Sequence, residues 1–195
     1  MSAIWQAEAG FAIGQRYPDL RTCHSMGLAN MPMKLEGSCR CGAIRFTVDS
    51  HTPAPYQLCY CSICRKQQGG GGYAINLGAD SATLEITGKD NLGVYRAEIE
   101  DDEHPTCEVS TGERNFCTKC GSALWLYDPT WPELVHPFAS AIDSELPRPP
   151  QRTHLMLKYK PSWVEPNVRK GDLTFEVYPE ESIAEWHRRN GMWVE

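Results

Sequence analysis

Cys39-Arg40-Cys41-Gly42-Ala43-Ile44-Arg45-Phe46-Thr47-Val48, residues 39–48, joins two signals in one short run. Ile44, Phe46 and Val48 alternate with Arg45 and Thr47, the period of a half-buried strand. Ahead of them two cysteines stand two positions apart, so in extended chain both sulfurs point to one side and can reach one ion. Further strand-like runs are YQLCY at 56–60, YAINL at 73–77, TLEIT at 83–87, ALWLY at 123–127, HLMLKY at 154–159 and LTFEVY at 173–178. Gly, Pro, Asn and Asp separate them, and Pro147, Pro149 and Pro150 mark a loop before the last two. The pattern predicts a mostly β, antiparallel domain.

One helix is signalled, over Ser182 to Asn190. Ser182 and Glu185 form a capping box, Arg188 and Arg189 suit the C-terminal end of the dipole, and Gly191 can close it. Ile183 and Trp186 are expected to pack on the sheet. The reading divides the chain into residues 1–33, an N-terminal extension without period or motif and expected to be poorly ordered; residues 34–180, a β domain; and residues 181–195, a C-terminal helix packed on it.

Composition narrows the function classes. The chain has 195 residues, 41% of them hydrophobic and 23% charged, which suits one ordinary globular domain. The formal charge of −6 argues against a nucleic-acid partner, which needs a surplus of Lys and Arg. No apolar run approaches the roughly 20 residues of a membrane span. The first residues, MSAIWQAEAGFAIGQRYPDL, lack the basic start and apolar block of a signal peptide, so a cytoplasmic location is expected. The acidic run Glu98 to Glu103 reads as a solvated loop, because calcium binding needs regularly spaced oxygen ligands and a turn glycine.

Nine cysteines is a high and odd count for a cytosolic chain, and in a reducing compartment closely spaced cysteines hold metal more often than they pair. Besides Cys39 and Cys41 there are Cys59-Tyr60-Cys61-Ser62-Ile63-Cys64 and Cys117-Thr118-Lys119-Cys120-Gly121. The last is a zinc-knuckle pattern, whose glycine permits a backbone conformation other residues resist. Pairing the outer clusters predicts a closed Cys₄ Zn²⁺ site of Cys39, Cys41, Cys117 and Cys120; buried structural thiols are the plain alternative. Cys59, Cys61 and Cys64 offer three thiolates without an evident fourth, the arrangement of a catalytic Zn²⁺ with an open position. A fourth ligand from Cys107, His104 or His136 would close it. Three thiolates make a weaker Lewis acid than three neutral histidines, and suit deprotonation of an incoming thiol better than production of hydroxide. Two zinc ions per chain are expected.

Several neighbours are candidate substrate contacts. Arg65 and Lys66 could attract an anionic substrate or sit in a solvated turn. Gly70 and Gly71, in the Gly69 to Gly72 run, could present backbone N–H groups or form a flexible loop. Tyr60 could donate to a substrate oxygen or be a half-buried strand tyrosine. Trp125, Trp131 and Trp163 read as core or pocket wall, His154 as a satisfied core histidine, and Cys23 and Cys107 as free thiols.

The runs LEGSCRCGAIRF, CYCSICRK with its glycine-rich sequel, and RNFCTKCGSALW together resemble the glutathione-dependent formaldehyde-activating enzyme family, which also contains centromere protein V. HPFASAID and HLMLKYKPSWVE resemble its downstream strands, so the resemblance spans Lys34 to Trp163. It implies a β-tent zinc fold of two small sheets, with Cys39, Cys41, Cys117 and Cys120 as the structural site and Cys59, Cys61 and Cys64 as the catalytic one. It also implies carbon–sulfur lyase chemistry, forming S-hydroxymethylglutathione from formaldehyde and glutathione. The expected partners are a small thiol and a small carbonyl compound, with a homodimer admitted. Alternative expectations are the same zinc site acting on another carbonyl metabolite, and a non-catalytic zinc scaffold for a protein partner.

Overall fold

The computed structural model of the chain describes residues 32–68, 70–99 and 108–193. The expectations for the N-terminal extension, for Cys23, Cys107 and His104, and for most of the acidic run fall outside them. In chain order the elements are β1 (Met33–Ser38), β2 (Arg45–Ser50), β3 (Tyr56–Cys59), α1 (Ser62–Gln68), β4 (Ala74–Asn76) and β5 (Ala79–Asp80). They continue with β6 (Glu85–Thr87), β7 (Leu92–Tyr95), β8 (Glu98–Ile99), β9 (Glu108–Val109), β10 (Glu113–Cys117) and β11 (Ala123–Tyr127). Last come β12 (Leu134–Pro137), β13 (Arg152–Leu155), β14 (Leu173–Thr174) and α2 (Ile183–Arg189). Among the described residues no helix is long and apolar enough to cross a membrane.

The architecture is mostly β, as expected, but two features differ from the sequence reading. Instead of two sheets there are four among the described residues: β1-β2-β6, β5-β12-β11-β10-β7, β14-β13-β3-β4 and the hairpin β8-β9. Nor is the pairing wholly antiparallel, because β13 runs parallel to both β3 and β14. Strand alternation reports which face is buried and says nothing of a partner's direction, so pattern alone could not distinguish these cases.

The predicted strands are shorter than their apolar runs. HLMLKY pairs only to Leu155 and then turns through a 3-10 segment, Leu157–Tyr159. LTFEVY contributes only Leu173–Thr174 to a sheet. The C-terminal helix forms with both halves of its capping box, and its Trp186 is buried while Ile183 lies against Gly78.

The alternation of the opening stretch is realised in β2, whose Phe46 and Val48 are buried between outward Arg45 and Thr47. The Phe46 ring meets Trp125 edge-on at 5.0 Å, joining the three-stranded and five-stranded sheets. Around that pair one core gathers Leu35, Ile44, Leu58, Tyr60, Leu124 and Phe138. Trp131 and Trp163, expected as core or pocket wall, are instead exposed, at 53% and 66%.

Candidate metal centres

The first cysteine group sits where β1 and β10 end. Each strand closes with the same turn. Gly42 N–H bonds to Cys39 O at 2.9 Å and Gly121 N–H to Cys117 O at 2.8 Å. Both glycines adopt φ near +70° (73° and 74°), the left-handed conformation anticipated from their position after cysteine. Arg40 N–H bonds to Ser122 Oγ at 3.0 Å and ties one turn to the other. The sulfurs of Cys39, Cys41, Cys117 and Cys120 all lie within 4.8 Å of one another. Cys39 and Cys41 sulfurs are 3.5 Å apart, Cys41 and Cys117 3.8 Å. A tetrahedral zinc with sulfurs at about 2.3 Å places neighbouring sulfurs about 3.8 Å apart, so this group fits such an ion. The Ser122 hydroxyl beside Cys120 holds its thiol down to about 5.

The second group forms where β3 passes into α1. Cys59 ends the strand, Cys61 precedes the helix and Cys64 lies within it, and their sulfurs too are within 4.8 Å of one another. Among the described residues no fourth Cys, His, Asp or Glu ligand atom joins them. His136, one of the expected closers, has Nδ1 3.1 Å from Leu77 O instead. Cys59 and Cys64 are buried with Ala74 and Leu155, and Cys61 and Met156 pack against them. Cys64 N–H reaches Cys61 Sγ at 3.3 Å. Bonds from Cys59 and Cys64 hold the Cys61 thiol down to about 3, while bonds to Cys61 and Cys64 push Cys59 well up. Three sulfurs this close repel one another as thiolates, and a cation among them offsets that repulsion. This donor set also fits a metal ion.

Tyr60 lies between two of these cysteines and points the opposite way, as strand alternation requires. It is fully buried, and its hydroxyl is 2.8 Å from His154 Nδ1. His154 is a core histidine, as expected, but only half satisfied: its Nε2, 3.5 Å from Asp172 Oδ2, has no hydrogen-bond partner. The expected role of Tyr60 as a donor to substrate gives way, in this arrangement, to a bond inside the core. Arg65 and Lys66 do not form a turn: both belong to α1, with Lys66 exposed and the Arg65 Nε buried without a partner. Gly70 and Gly71 are exposed beyond its end.

Two side chains associated with the second group were not among the candidate residues of the sequence reading. Arg114 on β10 is only 8% exposed, bonds to Gly112 O at 3.0 Å, and has an unpartnered Nε. Its charge is felt by Cys64. Tyr178 is the other. The residue is largely exposed, but protein crowded round its hydroxyl, and then the Cys59, Cys61 and Cys64 sulfurs, push that hydroxyl up to about 12. Arg114 opens the run RNFCTKCGSALW, but local spacing ties that run to the first cysteine group, and Tyr178 lies outside every cysteine run.

Comparison with known proteins gives the family. Residues 34–157 match the family described as "Glutathione-dependent formaldehyde-activating enzyme". A curated protein of Halomonas elongata that carries the name of that enzyme is 60% identical over 160 residues, 82% of this chain and 98% of its own. The crystal structure of a Rhodobacter sphaeroides protein aligns with a TM-score of 0.44 and 26% identity, over 60% of this chain and 93% of its own. The chain belongs to the glutathione-dependent formaldehyde-activating enzyme family.

Proposed function

We propose that the chain is a zinc enzyme of carbon–sulfur lyase type, adding a glutathione-like thiol to a small carbonyl compound such as formaldehyde and running the reverse elimination. The observation that carries this reading is the Cys59/Cys61/Cys64 group, three converging sulfurs without a fourth protein ligand among the described residues. Cys39, Cys41, Cys117 and Cys120 would hold a second, structural zinc. Zinc bound at the three-cysteine site would supply a positive charge that favours the thiolate form of an incoming thiol and offsets charge on oxygen.

The remaining steps belong to the protein and substrates. The thiol sulfur forms a bond to the carbonyl carbon, the carbonyl π electrons move to oxygen, and that oxygen takes up the proton the thiol gave up. Atoms and charge balance without an oxidant or reductant. Arg65 and Lys66 on α1 supply positive charge beside Cys64 for the carboxylates of an anionic thiol. Gly70 and Gly71 carry no side chain that would keep a ligand from their backbone. The Cys64 N–H bond to Cys61 Sγ stabilises that sulfur as a thiolate and fixes its direction.

Exchange of ¹³C-labelled formaldehyde with its glutathione adduct, followed by NMR, tests the reading. Metal-loaded protein is expected to accelerate exchange above the uncatalysed rate. No acceleration with both sites loaded would remove this substrate pair.

A further inference from the structure

The residues after position 157 lie beyond the family match, yet part of them is bonded to Met156, which packs on the three-cysteine group. Strand β14 pairs in parallel with β13, aligning Leu173 with Thr153 and Thr174 with His154. The chain then stays alongside: Phe175 N–H bonds to His154 O at 2.8 Å, Met156 N–H to Val177 O at 2.8 Å, and Lys158 N–H to Glu176 O at 3.0 Å. The start of this strap is pinned by Asp172. Its side chain is 1% exposed and accepts from Arg152 N at 3.0 Å, Arg152 Nε at 2.9 Å and Arg169 N at 2.8 Å.

Met156 is the joint between strap and site. It packs against the group containing Cys59 and Cys64 while its backbone holds Val177. It also has φ of 64°, the one positive φ at a non-glycine residue among those described. A left-handed backbone at a residue other than glycine costs free energy and persists where the surroundings enforce it, most often at functional sites. The residue after Val177 is Tyr178, 63% exposed and beside the sulfurs. The Arg114 charge is felt there as well as at Cys64. The strap thus carries an exposed phenol next to Val177, which is bonded to the residue that packs on the cysteine group, and Arg114 is buried with an unpartnered Nε.

We propose that Tyr178, carried by the strap 172–178, is a substrate-contacting residue of the Cys59/Cys61/Cys64 site, whose hydroxyl donates to the oxygen of a sulfur-bound adduct. This deepens the reading of the site as a thiol-binding centre and rests on it. Its chemistry is specific: it selects thiols bearing a hydroxyl or carbonyl oxygen close to sulfur over thiols of the same size without one.

Calorimetric titration of metal-loaded protein with 2-mercaptoethanol and with ethanethiol tests this without needing turnover. Wild type is expected to bind the hydroxylated thiol about fivefold more tightly, the worth of one hydrogen bond. Tyr178→Phe is expected to bring the ratio to about one, with metal content and ethanethiol affinity unchanged. A ratio that survives in Tyr178→Phe, or one already near unity in wild type, overturns the proposal. Loss of metal or of ethanethiol binding in the variant also overturns it, since that would make Tyr178 structural. Tyr178→His, which restores a donor, is expected to recover part of the preference, and no recovery counts against a donor role. Thiol discrimination without formaldehyde exchange would sink the formaldehyde assignment and leave this inference standing. Absence of binding by both thiols would sink the thiol-centre reading and the role of Tyr178 with it.

Discussion

Each cysteine in the two groups faces a different consequence of losing its sulfur, and the reason is where the neighbouring backbone goes. Cys117 and Cys120 bracket a turn whose closing bonds, Gly121 N–H to Cys117 O and Cys117 N–H to Ser122 O, hold the end of β10 against the start of β11. Cys64 is a helix side chain in a small cluster apart from the main core. Cys120→Ser is therefore expected to lose one metal ion and to unfold the domain or lower its melting temperature by roughly 6–12 °C or more, taking about 3 kcal/mol or more at roughly 2–4 °C per kcal/mol. Cys64→Ser is expected to lose the other ion and all exchange activity while melting within a few degrees of wild type. Metal analysis and thermal melts on both variants check this; equal loss of stability in the two would contradict separate roles. The cysteine groups were legible in the sequence because ligand spacing is local chemistry: CxC and CxxCG aim sulfurs together whatever the rest of the chain does. The association of Arg114, Tyr178 and Met156 with the second group was not legible, since pairing between distant segments brings each of them there.

Among the elements, α2 was the most readable and α1 the least. The capping box around α2 is an explicit local code, and it forms in full: Glu185 N–H donates to Ser182 Oγ at 3.2 Å and Ser182 N–H to Glu185 Oε2 at 2.8 Å. Ser182→Ala removes one half and is expected to lower stability by about 1 kcal/mol. Because Trp186 is buried and bonds to Gln151 at 2.8 Å, the loss should register in the global denaturant midpoint as well as in local helix content. An unchanged midpoint would mean α2 opens independently. Helix α1 escaped notice because Ser-Ile-Cys-Arg-Lys-Gln-Gln has no apolar period and no terminal signal. What forms it is the requirement to return Cys64 toward Cys61, a demand that comes from the site. The parallel partner of β3 was equally invisible, since Tyr56–Cys59 and Arg152–Leu155 show the same alternation in either direction.

At the level of the molecule, two histidines packed into the fold set a pH limit. His136 and His187 are both held below the usual imidazole range, in each case first by burial. His187 Nε2 is 2.6 Å from Ala54 O and, neutral, donates to it. The folded chain therefore binds fewer protons than the unfolded one below the unfolded value of about 6.5. The stability they allow is fully present above that value and falls as pH drops through it toward the lower folded values. Urea midpoints between pH 8 and 5 are expected to decline mainly below about 6.5, with metal content followed in parallel to score ligand protonation separately. A flat profile with metal retained would rule out this account. His136→Gln and His187→Gln should each flatten the slope. The overall class, mostly β around one core with a capped C-terminal helix, could be read from alternation and turn residues. The division into four sheets could not, because sheet membership is decided by contacts such as Phe46 against Trp125.

The bond between Tyr60 and His154 crosses 94 positions of sequence, and β13 lies beside β3 over the same span. During synthesis the three sulfurs around Tyr60 thus leave the ribosome long before the strand that shelters them exists. For that interval they are bare nucleophiles, open to oxidants and to stray metals. Cells making this chain under oxidative stress should accumulate damage at Cys59, Cys61 and Cys64 on nascent copies, whereas in finished molecules Cys59 and Cys64 are buried and less exposed to it.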